Sequence, residues 1–269
     1  MTDALQRPFV ETIGPFDDQI IATSLHAGHD LRPEIAAAMV LPEDVRFREE
    51  DPYTDLIAAV VPSRVVTHRS RFEVDLNRPV ETSVYLDPDD AWGLDIWAGG
   101  RLDAALAQRS RQQAADFYAV VDATLDPVAT RGPFVVYDVH SYNHRRHGPD
   151  APPRPQQEAP DVNVGTGSLD RTVFGEVVDS FIDVLGSRSA GGRSLDVREN
   201  VAFRGRELAR HVHQRYPGRG CVLALEFKKT FMDEWTGRLD RAHLDQLREA
   251  LAATIPPVLD AARRVGGAR

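Results

Sequence analysis

Short apolar runs alternate along this chain with amphipathic stretches, and that alternation limits the folds open to it. Ile20-Ile-Ala-Thr-Ser-Leu25 reads as a strand running straight into His26, and Val65-Val-Thr67 as a second. Pro133-Phe-Val-Val-Tyr-Asp-Val139 reads as a strand buried on both faces, and Val222–Phe227 as another. Phe72–Leu76 is a further extended piece. Between them lie helical patterns. Tyr53–Val61 starts behind Asp51-Pro52, where proline suits a first turn. Arg101–Leu125 places Leu102, Leu106, Phe117, Val120, Val121 and Leu125 at mostly helical spacing. Leu169–Leu185 has Ser168 as a candidate cap, and Gly205–Tyr216 is shorter. Leu239–Val265 forms one long helix or a pair, bent near Pro256-Pro257. Strands alternating with helices imply an α/β fold with a mostly parallel sheet covered on both faces. Sites in such sheets form at the carboxyl ends of the strands. That rule singles out His26, His140 and the region of Glu226.

Neither an internal repeat nor a linker interrupts the pattern, so residues 1–269 are expected to form one domain. With 42% hydrophobic and 27% charged residues, the chain has the makings of a large core. Lys and Arg total 32 against 41 Asp and Glu, a net charge of −9. That argues against nucleic acid, which needs a basic face. It leaves room for a small anionic substrate wherever arginines cluster. The lone Cys221 excludes an intramolecular disulfide, and its apolar run suggests a buried, inert thiol. Met1–Phe9 lacks a basic region followed by an apolar stretch. Nothing approaches the roughly 18 to 20 apolar residues of a membrane span. A cytoplasmic location is expected; the oligomeric state is left open. Tyr142–Pro160, with five prolines and no periodicity, reads as a surface loop beside the site. Its His144-Arg-Arg-His147 cluster reads as solvated.

Several residues have the chemistry of a site. His140, in Asp138-Val-His140-Ser141, stands where a strand end projects into a crevice, and Asp138 is placed to orient a ring nitrogen. His26 precedes Gly28, which permits a sharp turn. His29 reads as structural or exposed. Arg48-Glu-Glu-Asp51-Pro52 puts carboxylates at a predicted helix start. They either complement the helix dipole or supply one acid to a His₂-carboxylate metal site. Ser70-Arg71 through Asp75-Leu-Asn77-Arg78-Pro79 offers either an arginine clamp for a carboxylate or an internal Asp75–Arg pair. Glu226 is an acid inside the apolar Leu223–Phe227 run. Burial there needs a partner such as Lys228, or a role; a raised pKa suits a general base.

Taken in order, these pieces resemble the N-formylglutamate amidohydrolase family, over about residues 20–240. The matching stretches are Leu25-His-Ala-Gly28, Glu50-Asp51 with Asp55, Ser70-Arg71 through Pro79, Asp138–Ser141, Asp161–Thr166, Asn200–Gly205, and Leu225-Glu226 through Met232-Asp-Glu234. The resemblance implies a relative of the zinc carboxypeptidases: a mixed, mostly parallel sheet flanked by helices, with one Zn2+ per chain held by His26, His140 and a carboxylate. Asp51 is preferred to Glu50 because it directly precedes the predicted helix. The resemblance further implies Glu226 as general base, Arg71 beside the scissile carbonyl, and Asn77 with Arg78 on a substrate carboxylate. The activity implied is release of formate from N-formyl-L-glutamate. Leucine stands before His26 where the family has proline, and Pro52 stands where many members have tryptophan. Arg206 replaces a frequent glycine and is a candidate substrate contact. Alternatives are a zinc hydrolase acting on another N-acyl amino acid or a peptide, and a non-catalytic binder of acidic amino acids.

Overall fold

The computed structural model describes residues 7–267. The strands are β1 (Val10–Ile13), β2 (Ile20–Ser24), β3 (Arg64–Thr67), β4 (Phe134–Tyr142), β5 (Val162–Gly165), β6 (Ser189–Ala190), β7 (Arg193–Ser194), β8 (Val197–Glu199) and β9 (Gly220–Lys228). The helices are α1 (Pro33–Ala38), α2 (Glu43–Glu49), α3 (Thr54–Ala58), α4 (Ala104–Thr130), α5 (Arg171–Gly186), α6 (Glu207–Arg215), α7 (Arg241–Ala252) and α8 (Ile255–Gly267). Seven strands make one sheet in the order β1-β3-β2-β4-β9-β5-β8, and β6 pairs with β7 alone. The pairings from β3 through β2 and β4 to β9 are parallel, as is β5 with β8. The contacts of β1 with β3 and of β5 with β9 are antiparallel. The sheet is therefore mixed and mostly parallel, as the alternation implies.

Side-chain alternation along the central strands divides the core in two. Ile20, Ala22, Val135, Tyr137, Leu223 and Leu225 face the layer that includes Val177 and Phe181 of α5, Leu247 of α7 and Val258 of α8. Their neighbours Ile21, Val136 and Val222 face Phe117 and Val121 of α4 and Val212 of α6. Burial on both faces explains why β4 and β9 read as continuous apolar runs. Polar residues begin where these strands approach their carboxyl ends.

Some expectations are corrected. Phe72–Leu76 is a pair of turns, because short polar side chains capture the backbone. Ser70 Oγ accepts from Phe72 N at 3.2 Å, and Asp75 Oδ1 accepts from Asn77 N at 3.0 Å. Arg48 and Glu49 end α2 rather than starting a helix. Asp170, not Ser168, caps α5 through Thr172 N at 2.9 Å, while Ser168 Oγ meets His213 Nδ1. The break between the last helices falls at Ala253-Thr254. Pro256 and Pro257 sit in the first turn of α8, where their missing N–H costs little. The short strands β1, β5 and β8 carry too few residues for a periodic signal.

Candidate metal centre

Three chain segments converge at the carboxyl ends of β2 and β4. His26 lies two residues past β2, and His140 lies near the end of β4. Asp51 sits in the link between α2 and α3, where its N–H donates to the His26 carbonyl at 2.9 Å. One ligand atom from each residue lies within 4.8 Å of the others, and all three residues are buried. Asp51 Oδ2 is 3.4 Å from His26 Nδ1 and 3.1 Å from His140 Nδ1. The two rings stand 4.9 Å apart between centroids.

The opposite ring nitrogens are occupied. His26 Nε2 is 2.8 Å from Asp75 Oδ1, and His140 Nε2 is 3.1 Å from Asp138 Oδ2. An ionised carboxylate only accepts, so His26 Nε2 carries a proton toward Asp75, while His140 faces carboxylates through both ring nitrogens, Asp51 at Nδ1 and Asp138 at Nε2. Asp138 is itself fixed by Thr23 Oγ1 at 2.7 Å. Asp75 also accepts from Arg71 Nη2 at 2.9 Å and from the Tyr85 hydroxyl. This carboxylate–histidine arrangement orients rings for a metal and raises their basicity. His26 Nδ1 is buried and lacks a hydrogen-bond partner among the described residues. Two imidazole nitrogens and a carboxylate oxygen at this spacing form a donor set that fits a divalent cation.

Electrostatics fit that arrangement. Burial alone would raise the Asp51 carboxyl, but the neighbouring His140 and His26 outweigh it and hold it well below the usual range. Burial works against a charged His140, yet the charge and hydrogen bond of Asp138 raise it well above the ordinary histidine value. Glu226 pairs in register with His140 across β4 and β9. Its carboxyl is pushed up to about 7, first by burial and then by the charges of Asp51 and Asp138, with His140 and Arg71 opposing.

His26, Asp51, Arg71, Asn77, His140, Arg206 and Glu226 all border one cavity of about 120 Å³. An adjoining cavity of about 240 Å³ shares Asn77, Phe203, Arg206 and Glu226. Of the two candidate acids, Glu50 is turned away, bonded to Ser70 Oγ, Arg46 and His29. Arg78 stands apart from both cavities. Its Nη2 donates to the Asp90 carbonyl at 2.8 Å, its Nε is 3.5 Å from Asp75, and its guanidinium lies 4.4 Å from the Tyr85 ring. The Asp75–Arg pairing that was open in the sequence is present. Lys228 is not the partner of Glu226: it sits 3.4 Å from Asp161 and donates to Gln156. Gly28 is not at positive φ; a Cβ there would collide with the backbone of His68.

Sequence reasoning missed Lys229, Arg146 and Trp92, which also border the metal-side cavity. Lys229 is fully buried and donates to the carbonyls of Arg48 and Glu50 at 2.6 and 2.7 Å. Its adjacency to Lys228 hid it: Lys228 ends β9 and reaches Asp161, whereas Lys229 is the first residue past the strand. Arg146 belongs to the cluster read as solvated.

A model of the N-formylglutamate amidohydrolase family matches residues 18–232, most of the chain. The chain belongs to this family. Among solved structures, the N-formylglutamate amidohydrolase from Ralstonia eutropha JMP134 is similar over 95% of this chain and 98% of that one, with 16% identity and a TM-score of 0.73. A gene product from Agrobacterium tumefaciens is similar over 91% and 94%, with 17% identity and a TM-score of 0.62. At such identities these likenesses speak for the fold. No curated protein matches the chain in sequence. As a member of the N-formylglutamate amidohydrolase family, the chain carries its His-Asp-His cluster at the strand ends where an α/β sheet builds its sites.

Proposed function

We propose that this protein is a metal-dependent amidohydrolase that removes a formyl group from an N-formylated acidic amino acid, N-formyl-L-glutamate by family membership. The observation that carries the reading is Glu226, a carboxyl near neutrality, in register with His140 of the His26–Asp51–His140 cluster. Those three residues would hold a zinc ion, which when bound supplies a Lewis acid for the amide carbonyl and lowers the pKa of water towards about 7.

The chain's own groups do the rest. Glu226, half ionised near pH 7, accepts a proton from the attacking water and delivers it to the departing amine. Arg71 is held rigid through Nη2 by Asp75 and through Nε by Tyr85 at 3.2 Å. Its charge is thereby pre-aimed at the oxygen that becomes negative, without reorganisation during reaction. Asn77 accepts from Leu208 N at 3.2 Å, which fixes its amide on the wall shared by both cavities. Asn77 and Arg206 orient a substrate carboxylate so that the amide meets Glu226. Arg78 acts indirectly, by supporting Asp75.

The test is metal content of the purified protein, with N-formylglutamate hydrolysis measured before and after chelation. About one zinc per chain, with activity lost on chelation and restored by zinc, is expected. A metal-free protein indifferent to added zinc would overturn the proposal.

A further inference from the structure

The cavity beside the metal centre is bordered by four cations, Arg71, Arg146, Arg206 and Lys229. Two are already anchored by protein partners. Arg71 is bound to Asp75 and Tyr85, and Lys229 to the carbonyls of Arg48 and Glu50. Arg206 is exposed at the start of α6, borders both cavities, and enters no salt bridge among the described residues. Arg146 comes from the opposite direction, out of the proline-rich loop. Its side chain is 47% exposed, with Nη2 3.0 Å from Glu49 Oε2. A guanidinium has five donors, so that single contact leaves most of the fork free.

A loop arginine is a poor recognition element unless its backbone is fixed. Here it is fixed on three sides. The buried Glu234 carboxylate accepts from the backbone N–H of His144 at 2.9 Å and of Arg145. Trp235 Nε1 donates to the Arg145 carbonyl at 3.0 Å, and the guanidinium of Arg48 lies 4.1 Å from the Trp235 ring centroid. Arg48 Nε is 3.3 Å from Glu49, which returns to Arg146. Loop, helix α2 and the turn after β9 thus close a ring of contacts around one cavity-facing cation.

We infer that Arg146, set by this ring, is the residue that selects a second, side-chain carboxylate on the substrate, while Arg206 takes the carboxylate next to the scissile amide. The inference rests on the amidohydrolase reading above. The division follows from position. Arg206 shares both cavities with Glu226, which protonates the leaving nitrogen, and the α-carboxylate is only two bonds from that nitrogen. Arg146 borders the metal-side cavity alone and stands exposed on its rim, where the far end of a side chain reaches. A dianionic acyl amino acid then meets a cation at each end, with bidentate geometry available at both.

The experiment compares N-formylglutamate with N-formylglutamine, which keeps the shape and removes the side-chain charge. In the zinc-loaded wild-type protein the charged substrate is preferred. In R146M that preference falls roughly tenfold to a hundredfold, the worth of a hydrogen bond to a charged group, with the change mainly in KM. R146K keeps part of the preference, which separates charge recognition from loop damage. R206M lowers both substrates together and retains their ratio. Equal losses for both substrates in R146M, or an unchanged ratio, would overturn the inference. So would a wild-type enzyme that does not distinguish the two. Hydrolysis of neither substrate by the wild type would instead bring down the amidohydrolase reading itself.

Discussion

Replacing Glu226 with Gln should make the metal-free protein more stable than wild type at alkaline pH and leave the two closer at acid pH. The carboxyl moves from an ordinary 4.5 to about 7 in the folded chain, so the folded state binds the proton more tightly than the unfolded one. For a group raised in this direction, its contribution to stability is greatest below the unfolded value and is lost as pH rises through the folded value. Between pH 5 and pH 8 the calculated loss is about 2.5 kcal/mol for those two pKa values. Glutamine keeps the shape and does not titrate, so the difference between E226Q and wild type isolates this group from the others that change with pH. The assay is urea denaturation of chelator-treated protein across that range. A bound cation would itself stabilise the carboxylate, hence the chelator. A stability difference that stays flat within about 0.5 kcal/mol from pH 5 to pH 8 would refute the argument that burial governs this carboxyl. On the same account, zinc-loaded E226Q retains its metal and loses turnover; an active E226Q would remove Glu226 as the base.

Two further substitutions probe the frame around the cluster. Asp138→Asn weakens the partner of His140 Nε2 and should lower zinc affinity roughly tenfold to a hundredfold, read by competition with a chromophoric chelator. Unaltered affinity would mean that the ring is oriented by packing alone. Gly28→Ala forces a Cβ into the His68 backbone and should cost about 1–3 kcal/mol on urea denaturation. A G28A protein as stable as wild type would show that the chain beside His26 yields without strain.

Much of the fold was legible because its strands are buried on both faces. β2, β4 and β9 carry apolar runs too dense to be surface, and their ends point to His26, His140 and Glu226 without any knowledge of packing. Those are local properties: strand burial writes itself into consecutive residues. The family resemblance added Asp51, Arg71 and Asn77, which the structure gathers at one cavity. The turns at Ser70 and Asp75 look extended in the sequence, because competition between side-chain and backbone hydrogen bonds depends on what the neighbouring elements leave unpaired.

What the sequence determined by itself was the alternation that makes a mostly parallel sheet, and hence the edge at which chemistry gathers. Which of two adjacent acids faces the histidines, which of two adjacent lysines is buried, and which arginines reach the cavity were decided only in three dimensions. Glu50 turns to Arg46 and Ser70, Asp51 to His26 and His140, and Arg78 to Asp75 and Asp90. The physical reason is that a charged side chain settles on whatever partners surround it after folding, and those partners lie anywhere from 3 to 179 residues away in the chain. Periodicity records burial along one element; it does not record the meeting of two.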